Sequence, residues 1–204
     1  MANVTQLKHL EHLEDEMLNY GVEGCIASVN FLKELRKMLG CDNSTGFMQT
    51  KWDGAPSVVC GTDPLNGMFF VGTKSVFAKN SKACYSDADV DLYYEGDLAE
   101  KLKYSLKYFS TLGIQGIVQG DLLFTTDVKR ETVNGEKLYT FTPNTITYAI
   151  PVDHPIGVAT GKAKIGVVFH THYRGTDFQN MQAFAGAKIN GSIEVLSVDT
   201  DTPM

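Results

Sequence analysis

The spacing of apolar residues predicts that the chain opens with two amphipathic helices. Between residues 4 and 19, apolar side chains recur at helical spacing, and Thr5 is available as a helix cap. The same spacing recurs between residues 24 and 39, and Gly40 follows where a helix is expected to end. We therefore expect a helical hairpin over residues 1–44.

After these helices the pattern changes to short apolar or alternating runs, which are typical of β-strands. The first run begins near Phe47, and the turn sequence at 63–67 predicts a β-hairpin, as does Asn134-Gly135. Residues 97–112 return to helical spacing. The other predicted strands cover residues 116–124, 129–133, 137–142, 145–152 and 164–173. The sequence thus predicts an α+β fold, mostly antiparallel, with one domain over residues 45–204.

Composition favours a soluble globular protein in the cytoplasm. The chain has 204 residues, of which 43% are hydrophobic, so it can form a core without disulfides. No run approaches the roughly 20 apolar residues of a membrane span, and the start lacks the features of a secretory signal. The four cysteines form no CxxC pair, so we expect reduced thiols, with Cys60 and Cys84 unbridged.

The charge argues against a dedicated nucleic-acid-binding module, because such modules need cations that displace counterions from phosphates. The formal net charge is −6, and the isoelectric point is near 5.3. Any contact with nucleic acid must therefore be local. Two loose groups of lysines could provide this contact, although most such groups are simply solvated. The first group is Lys74, Lys79 and Lys82, and the second is Lys101, Lys103 and Lys107.

The segment from Gln49 to Gly54, Q-T-K-W-D-G, is the strongest candidate for chemistry. A lysine is a covalent nucleophile only after its amine loses a proton, which burial or a neighbouring cation favours. A strand that ends in a glycine turn would hold Lys51 rigidly, point Asp53 to the same side and let Gly54 approach a phosphate. The pattern K-x-D-G alone occurs by chance in about one chain in twenty of this size, so a solvated lysine at a turn is the alternative.

These residues resemble motif I of the covalent nucleotidyltransferases, the superfamily of ATP-dependent RNA and DNA ligases and capping enzymes. In that superfamily the residue two positions before the lysine reads the adenine amino group, and here Gln49 can hydrogen-bond a base. Pro56 stands where the superfamily often has arginine, so the resemblance is closest to phage RNA ligases. The whole chain also resembles uncharacterised proteins of large tailed phages, which implies the host cytoplasm.

Later segments extend the resemblance over roughly residues 45–175. Lys74 lies in a run similar to the strand and basic turn after motif I, and would face the ribose or the phosphates. Asp121 stands where motif III has a carboxylate that contacts the ribose or helps to hold a metal ion. Phe169, in a strand similar to motif IIIa, would stack on the purine, with an ordinary core position as the alternative.

Two histidines follow Phe169 in the same predicted strand. His170 and His172 alternate along the strand onto one face, an arrangement that is also compatible with a metal pair. No third ligand can be identified in the sequence.

The resemblance implies an enzyme that uses ATP with Mg²⁺ or Mn²⁺, with Lys51 and Asp53 as catalytic residues. Lys51 would form lysyl-AMP and pass AMP to the 5′-phosphate end of RNA or DNA. The superfamily's later E-G-x-V and K-x-K segments do not occur before Met204, so we expect a domain without its C-terminal part or without the later steps. The alternatives are a non-catalytic nucleotide- or nucleic-acid-binding protein and a phage structural protein.

Overall fold

The computed structural model describes residues 12–40 and 49–200. Contacts between residues divide the chain into two compact units, with a boundary between Thr50 and Lys51. The first is a helical unit, and the second holds Lys51–Thr200. The domain boundary predicted after residue 44 lies outside the described residues.

The helical unit contains α1, which spans Leu13–Leu39 and reverses direction at Gly21. Gly21 has φ 57° and ψ −126°, a combination that glycine adopts without a steric penalty. Across this break Ser28 Oγ donates to the carbonyl of Leu13 at 3.3 Å, whereas residues 15 apart in a straight helix are about 22 Å apart. The chain therefore folds back, as the predicted hairpin requires, and residues 4–11 of that prediction lie outside the described chain.

The second unit combines two sheets with short helices. Its strands are β1 (Ser57–Thr62), β2 (Phe69–Gly72), β3 (Ile117–Phe124), β4 (Lys129–Val133), β5 (Glu136–Phe141), β6 (Tyr148–Pro151), β7 (Ile165–Arg174), β8 (Gln182–Ala185) and β9 (Val195–Val198). Its helices are α2 (Asp87–Tyr93), α3 (Gly96–Phe109) and α4 (Pro155–Thr160).

The main sheet has the antiparallel order β2-β1-β3-β7-β8, and β9 pairs with β7 in parallel. The second sheet has the antiparallel order β4-β5-β6. The predicted α+β class with mostly antiparallel sheets is confirmed. No helix in the described part of the chain has the length and apolar character needed to cross a membrane.

One face of the main sheet is covered by α3 and carries the largest buried apolar cluster. Val118 and Leu122 of β3 belong to it, together with Phe169 of β7 and Leu102 and Phe109 of α3. The rings of Phe109 and Phe169 meet edge to face, with their centroids 5.5 Å apart. Because alternate residues of a strand share a face, this row is apolar along the strands. We call this side the helix-covered face.

The opposite face carries two smaller apolar clusters. One surrounds Phe70 and Tyr173 and is covered by the one-turn 3-10 helix Lys74–Phe77. The other joins Leu123 of β3 to Phe141 of the second sheet. The two clusters occupy different ends of the face, and the strands between them carry polar side chains.

Candidate functional site

A row of polar side chains crosses the open face of the main sheet between its two apolar clusters. Ser57 of β1 pairs with Asp121 of β3, and Gln119 of β3 pairs with Thr171 of β7. Paired residues of antiparallel strands share a face, and Gln119 and Asp121 are two residues apart. All four side chains therefore lie on this side. Together with His170 they form what we call the polar band.

Gln119 is fixed at the centre of the polar band by two hydrogen bonds. Its Nε2 donates to Ser57 Oγ at 2.8 Å, and its Oε1 accepts from the hydroxyl of Tyr173 at 2.6 Å. Burial raises the pKa of Tyr173, which keeps its hydroxyl protonated as a donor. Since Gln119 is only 6% exposed, these bonds offset the cost of burying its amide. The amide is a rigid support beside Asp121.

His170 lies on the polar band at a β-bulge of β7. Phe169 and Thr171 pair with consecutive residues of β3, which leaves His170 as an extra residue between them. Val168 pairs with Asp121, so His170, two positions after Val168, alternates onto the open face. His170 Nε2 lies 3.5 Å from Asp121 Oδ2.

The same bulge separates the two histidines of β7. His172 pairs with Val118, so it lies on the helix-covered face, and it stacks on Phe184 with ring centroids 5.4 Å apart. Burial, together with Arg174, lowers the pKa of His172. The prediction that His170 and His172 share one face as a metal pair is therefore wrong. The regular alternation that it assumed ends at the bulge.

Gly54 packs directly against Asp121. A Cβ atom on Gly54 would lie 2.6 Å from Asp121 Cβ and 2.9 Å from the carbonyl oxygen of Leu122, so no side chain fits there. The N–H of Ala55 donates to that carbonyl at 2.9 Å, and the N–H of Leu122 donates to the carbonyl of Pro56 at 3.0 Å. The segments that resemble motifs I and III are therefore adjacent.

Asp53 is held by the loop between β5 and β6. Asn144 Nδ2 donates to Oδ1 at 3.0 Å, and the N–H and Oγ1 of Thr145 donate to Oδ2 at 3.2 and 2.9 Å. These bonds, that from Asn144 first, hold the pKa of the Asp53 carboxyl below its usual range. Its N–H donates to the hydroxyl of Tyr148 at 2.8 Å. Both carboxylate oxygens are occupied, so Asp53 anchors the segment to the second sheet.

Trp52 strengthens the same attachment. Its ring lies against Tyr148 with centroids 5.0 Å apart, and it packs on the apolar cluster of the second sheet. The buried Trp52 Nε1 has no hydrogen-bond partner among the described residues. The segment is thus pinned through Trp52 and Asp53 on one side and through Gly54 on the other.

Lys51 lies at the N-terminal end of this pinned segment. Its side chain is exposed and forms no ion pair with the described residues. The three residues from Lys51 to Gly54 span at most about 11 Å, which keeps the lysine close to Asp121. The expectation that a strand carries Lys51 is wrong, because residues 51–55 are irregular and β1 begins at Ser57.

Phe169 does not belong to this group. It is 2% exposed and packs on Phe109, on the helix-covered face, whereas Asp121 lies on the open face. The sheet itself separates the two side chains. The expectation that Phe169 meets a base beside Asp121 is therefore wrong, and Phe169 occupies the core position that was the alternative.

Lys74 belongs to the same unit as the group, whereas Gln49 belongs to the other unit. Lys74 is exposed at the start of the 3-10 turn, in which Phe77 contacts the ring of Tyr173 at a centroid distance of 4.5 Å. Tyr173 donates to Gln119, so the turn is one contact removed from the polar band. Gln49 falls in the helical unit and is described only within that unit.

The two lysine groups differ in their charge partners. Lys101 binds Asp97 at 2.9 Å, and Lys103 binds Asp91 at 2.7 Å, so most of the charge on α3 is compensated. We call residues 74–82 the basic loop, and its exposed lysines are Lys74, Lys79 and Lys82. None of these lysines forms an ion pair with a described residue. The basic loop is therefore a local positive patch on an acidic protein.

Sequence reasoning missed several residues of the site. Gln119 carried a usable signal, because it stands two positions before Asp121 and must share its face in a strand. Asn144 and Thr145 carried none, since they meet Asp53 from 91 and 92 residues away. Only the folded second sheet brings them there.

Comparison with known proteins gives a family but no function. A family model described as "Family of unknown function (DUF6267)" matches residues 3–204. Neither the curated proteins nor the solved structures contain a match.

Proposed function

The chain belongs to the DUF6267 family, whose function is unknown, and we propose that it is an ATP-dependent nucleotidyltransferase of the ligase type. The observation that carries the proposal is the contact between Gly54 and Asp121. Two segments 67 positions apart, each selected from sequence for its resemblance to a ligase motif, meet at a point where no side chain fits. A chance K-x-D-G turn has no reason to lie there.

In the proposed reaction Lys51 is the nucleophile. Its amine forms a bond to the α-phosphorus of ATP while the bond from that phosphorus to the bridging oxygen breaks, so pyrophosphate leaves. The amine proton passes to solvent, and lysyl-AMP remains. An oxygen of the 5′-phosphate end of RNA or DNA then bonds to this phosphorus while the phosphorus–nitrogen bond breaks, which transfers AMP and frees the lysine amine. Asp53 acts as a positioning residue, because its hydrogen bonds to Asn144 and Thr145 fix the segment that carries Lys51.

A divalent cation, Mg²⁺ or Mn²⁺, would neutralise the phosphates when bound. The residues present fit such an ion. Asp121 provides a partly exposed carboxylate on the polar band, and His170 Nε2 faces it without a hydrogen-bond partner among the described residues. These two side chains would hold the ion beside Gly54.

The second candidate is a nucleotide- or nucleic-acid-binding protein without catalysis. Two observations favour it. Lys51 is exposed rather than buried, although a lysine nucleophile must shed its proton. Phe169, the expected base-stacking residue, lies in the core. This candidate predicts ATP binding without a covalent product.

Labelled ATP separates the two candidates. The protein is incubated with α-labelled ATP and Mg²⁺ or Mn²⁺, and is then denatured so that only covalent label remains. The proposal expects label that is acid-labile and base-stable, lost in Lys51→Ala and retained in Lys162→Ala, a change at another exposed lysine of the same unit. Filter binding without denaturation that persists while covalent label is absent would favour the non-catalytic candidate.

A further inference from the structure

We propose that Asp121 and His170 together form a binding site for one first-row divalent transition-metal ion, of which Mn²⁺ is the test case. The inference deepens the proposed function, and it rests on that function for the purpose of the metal. Binding itself needs neither Lys51 nor nucleotide. It can therefore be measured independently of any reaction.

The first argument is the place of His170 on its strand. Val168 pairs with Asp121, and His170 lies two positions after Val168, so alternation brings its side chain to the open face, on the side of Asp121. The β-bulge directly after His170 turns Thr171 onto the same face. Bulges are over-represented beside active sites. The imidazole and the carboxylate therefore meet at an irregularity of the backbone.

The second argument is the distance between the two groups. His170 Nε2 lies 3.5 Å from Asp121 Oδ2, yet Nε2 is shielded from solvent and has no hydrogen-bond partner among the described residues. A charge-assisted hydrogen bond would bring the atoms to about 2.7–2.9 Å. Two ligands of one ion, each bound at about 2.1 Å, are separated by about 3.0–3.4 Å. The observed spacing is closer to that of two ligands than to that of a donor and an acceptor.

The third argument is the support of the imidazole ring. His170 Nδ1 lies 2.8 Å from Thr171 Oγ1. With the proton on Nδ1 and donated to this hydroxyl, Nε2 presents its lone pair to the side of Asp121. Histidine ligands are commonly oriented in this way, by a hydrogen bond from the ring nitrogen that does not bind the metal. In that tautomer the ring can donate an electron pair to a cation.

The ligand types select the class of ion. Mg²⁺ prefers oxygen ligands and keeps several waters, whereas an imidazole nitrogen suits the transition metals. One imidazole and one carboxylate leave most positions of the ion to water or to the phosphate oxygens of a nucleotide. Among the described residues, no three or more His, Cys, Asp or Glu side chains are grouped so that they could hold a metal ion, so the protein supplies a partial shell. We therefore expect Mn²⁺ to bind more tightly than Mg²⁺.

The test measures Mn²⁺ bound to the whole chain in the absence of nucleotide, from the loss of the free-ion signal in electron paramagnetic resonance. We expect one ion per chain, displaced by Co²⁺ more readily than by Mg²⁺. Replacement of either ligand, as His170→Ala or Asp121→Asn, should weaken binding by about 10-fold or more, since loss of even a supporting residue costs 10–100-fold. His170→Asn provides a second variant if His170→Ala does not fold.

The matched control is His172→Ala. His172 lies on the same strand, two residues from His170, but on the other face of the sheet and against Phe184. The His172→Ala substitution should leave the affinity for Mn²⁺ unchanged. A folded wild-type chain that binds no Mn²⁺, or His170 variants that bind it as well as wild type, would overturn the inference. Mn²⁺ binding without lysyl-AMP would overturn only the proposed function, and lysyl-AMP without Mn²⁺ binding would overturn only this inference.

Discussion

The two faces of the main sheet are built from the same strands but follow different rules. On the helix-covered face, apolar residues of β1, β3 and β7 form one continuous cluster with α3. On the open face, the apolar side chains form separate clusters at the two ends, and the polar band lies between them. The helix-covered face therefore provides stability, and the open face lacks apolar contacts at its centre.

This difference marks the open face as the candidate site. A polar row in the middle of a sheet weakens packing, and Gln119 keeps its place only because both ends of its amide are bonded. The segment with Lys51 and Gly54 enters beside this row, and His170, at the β-bulge, belongs to the row. If the polar band is a site, changes on the two faces should have separable effects on stability and on nucleotide chemistry.

The largest expected effect is on the helix-covered face. Phe169→Ala removes a buried ring that packs on Phe109, and should lower the free energy of unfolding by about 3–5 kcal/mol. Urea denaturation at neutral pH measures this free energy of unfolding. Asp121→Asn, on the open face, leaves the apolar packing intact and should change the same quantity by less than about 1 kcal/mol. A Phe169→Ala protein of unchanged stability that no longer binds ATP would restore its predicted role as a stacking residue.

The next effect concerns the junction between the entering segment and β3. Gly54→Ala forces the new Cβ against Asp121 and the carbonyl of Leu122, so the segment must move. The rate of lysyl-AMP formation should fall by about 10²-fold, the scale of misplaced reacting groups. Circular dichroism checks that the fold survives. A folded Gly54→Ala protein with the wild-type rate would show that the contact has no part in positioning Lys51.

A structural element could be predicted from the sequence where its own residues carry the signal for it. The hairpin at Asn134-Gly135, the helix over 97–112 and the strand over 116–124 were predicted and are confirmed, because each has its own spacing or turn residues. The short elements α4, β8 and β9 were not predicted. Four to six residues give too little periodicity to recognise.

The same distinction applies to the residues of the candidate site. Asp53 and Asp121 were selected as residue types at fixed spacings. Asp53 lies in the entering segment and binds Asn144, and Asp121 packs against Gly54 of that segment. Phe169 and His172 were assigned to the wrong side. Alternation along a strand does not reveal which face is covered by a helix, and a bulge changes that alternation without any mark in the sequence.

A smaller effect is expected for the basic loop, which flanks the open face. Changing its three lysines to glutamine should weaken binding of single-stranded nucleic acid, and should reduce the salt dependence of log K by about 2, since each phosphate contact contributes about 0.7. Fluorescence anisotropy at several salt concentrations measures both. The same changes at Lys101 and Lys103, which are already paired with acidic residues, should have little effect. Losses in proportion to the number of lysines changed would mean that only net charge matters.

The smallest effect is a titration. Hydrogen bonds from Asn144 and Thr145 lower the pKa of Asp53, so its ionised form favours the folded state. This stabilisation is complete above the unfolded pKa of about 3.9 and is lost as the pH falls through the lower folded value. Carboxyl carbon NMR should show the low pKa, and Asn144→Ala should raise it. An unchanged pKa in that variant would remove Asn144 from the anchor.

The central claim is that the polar band serves covalent chemistry at Lys51. Its most direct measurement is intact-mass spectrometry of the whole chain after incubation with ATP and Mn²⁺, followed by peptide mapping. The account predicts a mass increase of one AMP located on Lys51, absent in Lys51→Ala and strongly reduced in Asp121→Ala. A folded chain that binds ATP and the metal but gains no mass, or gains it at a different lysine, would contradict it.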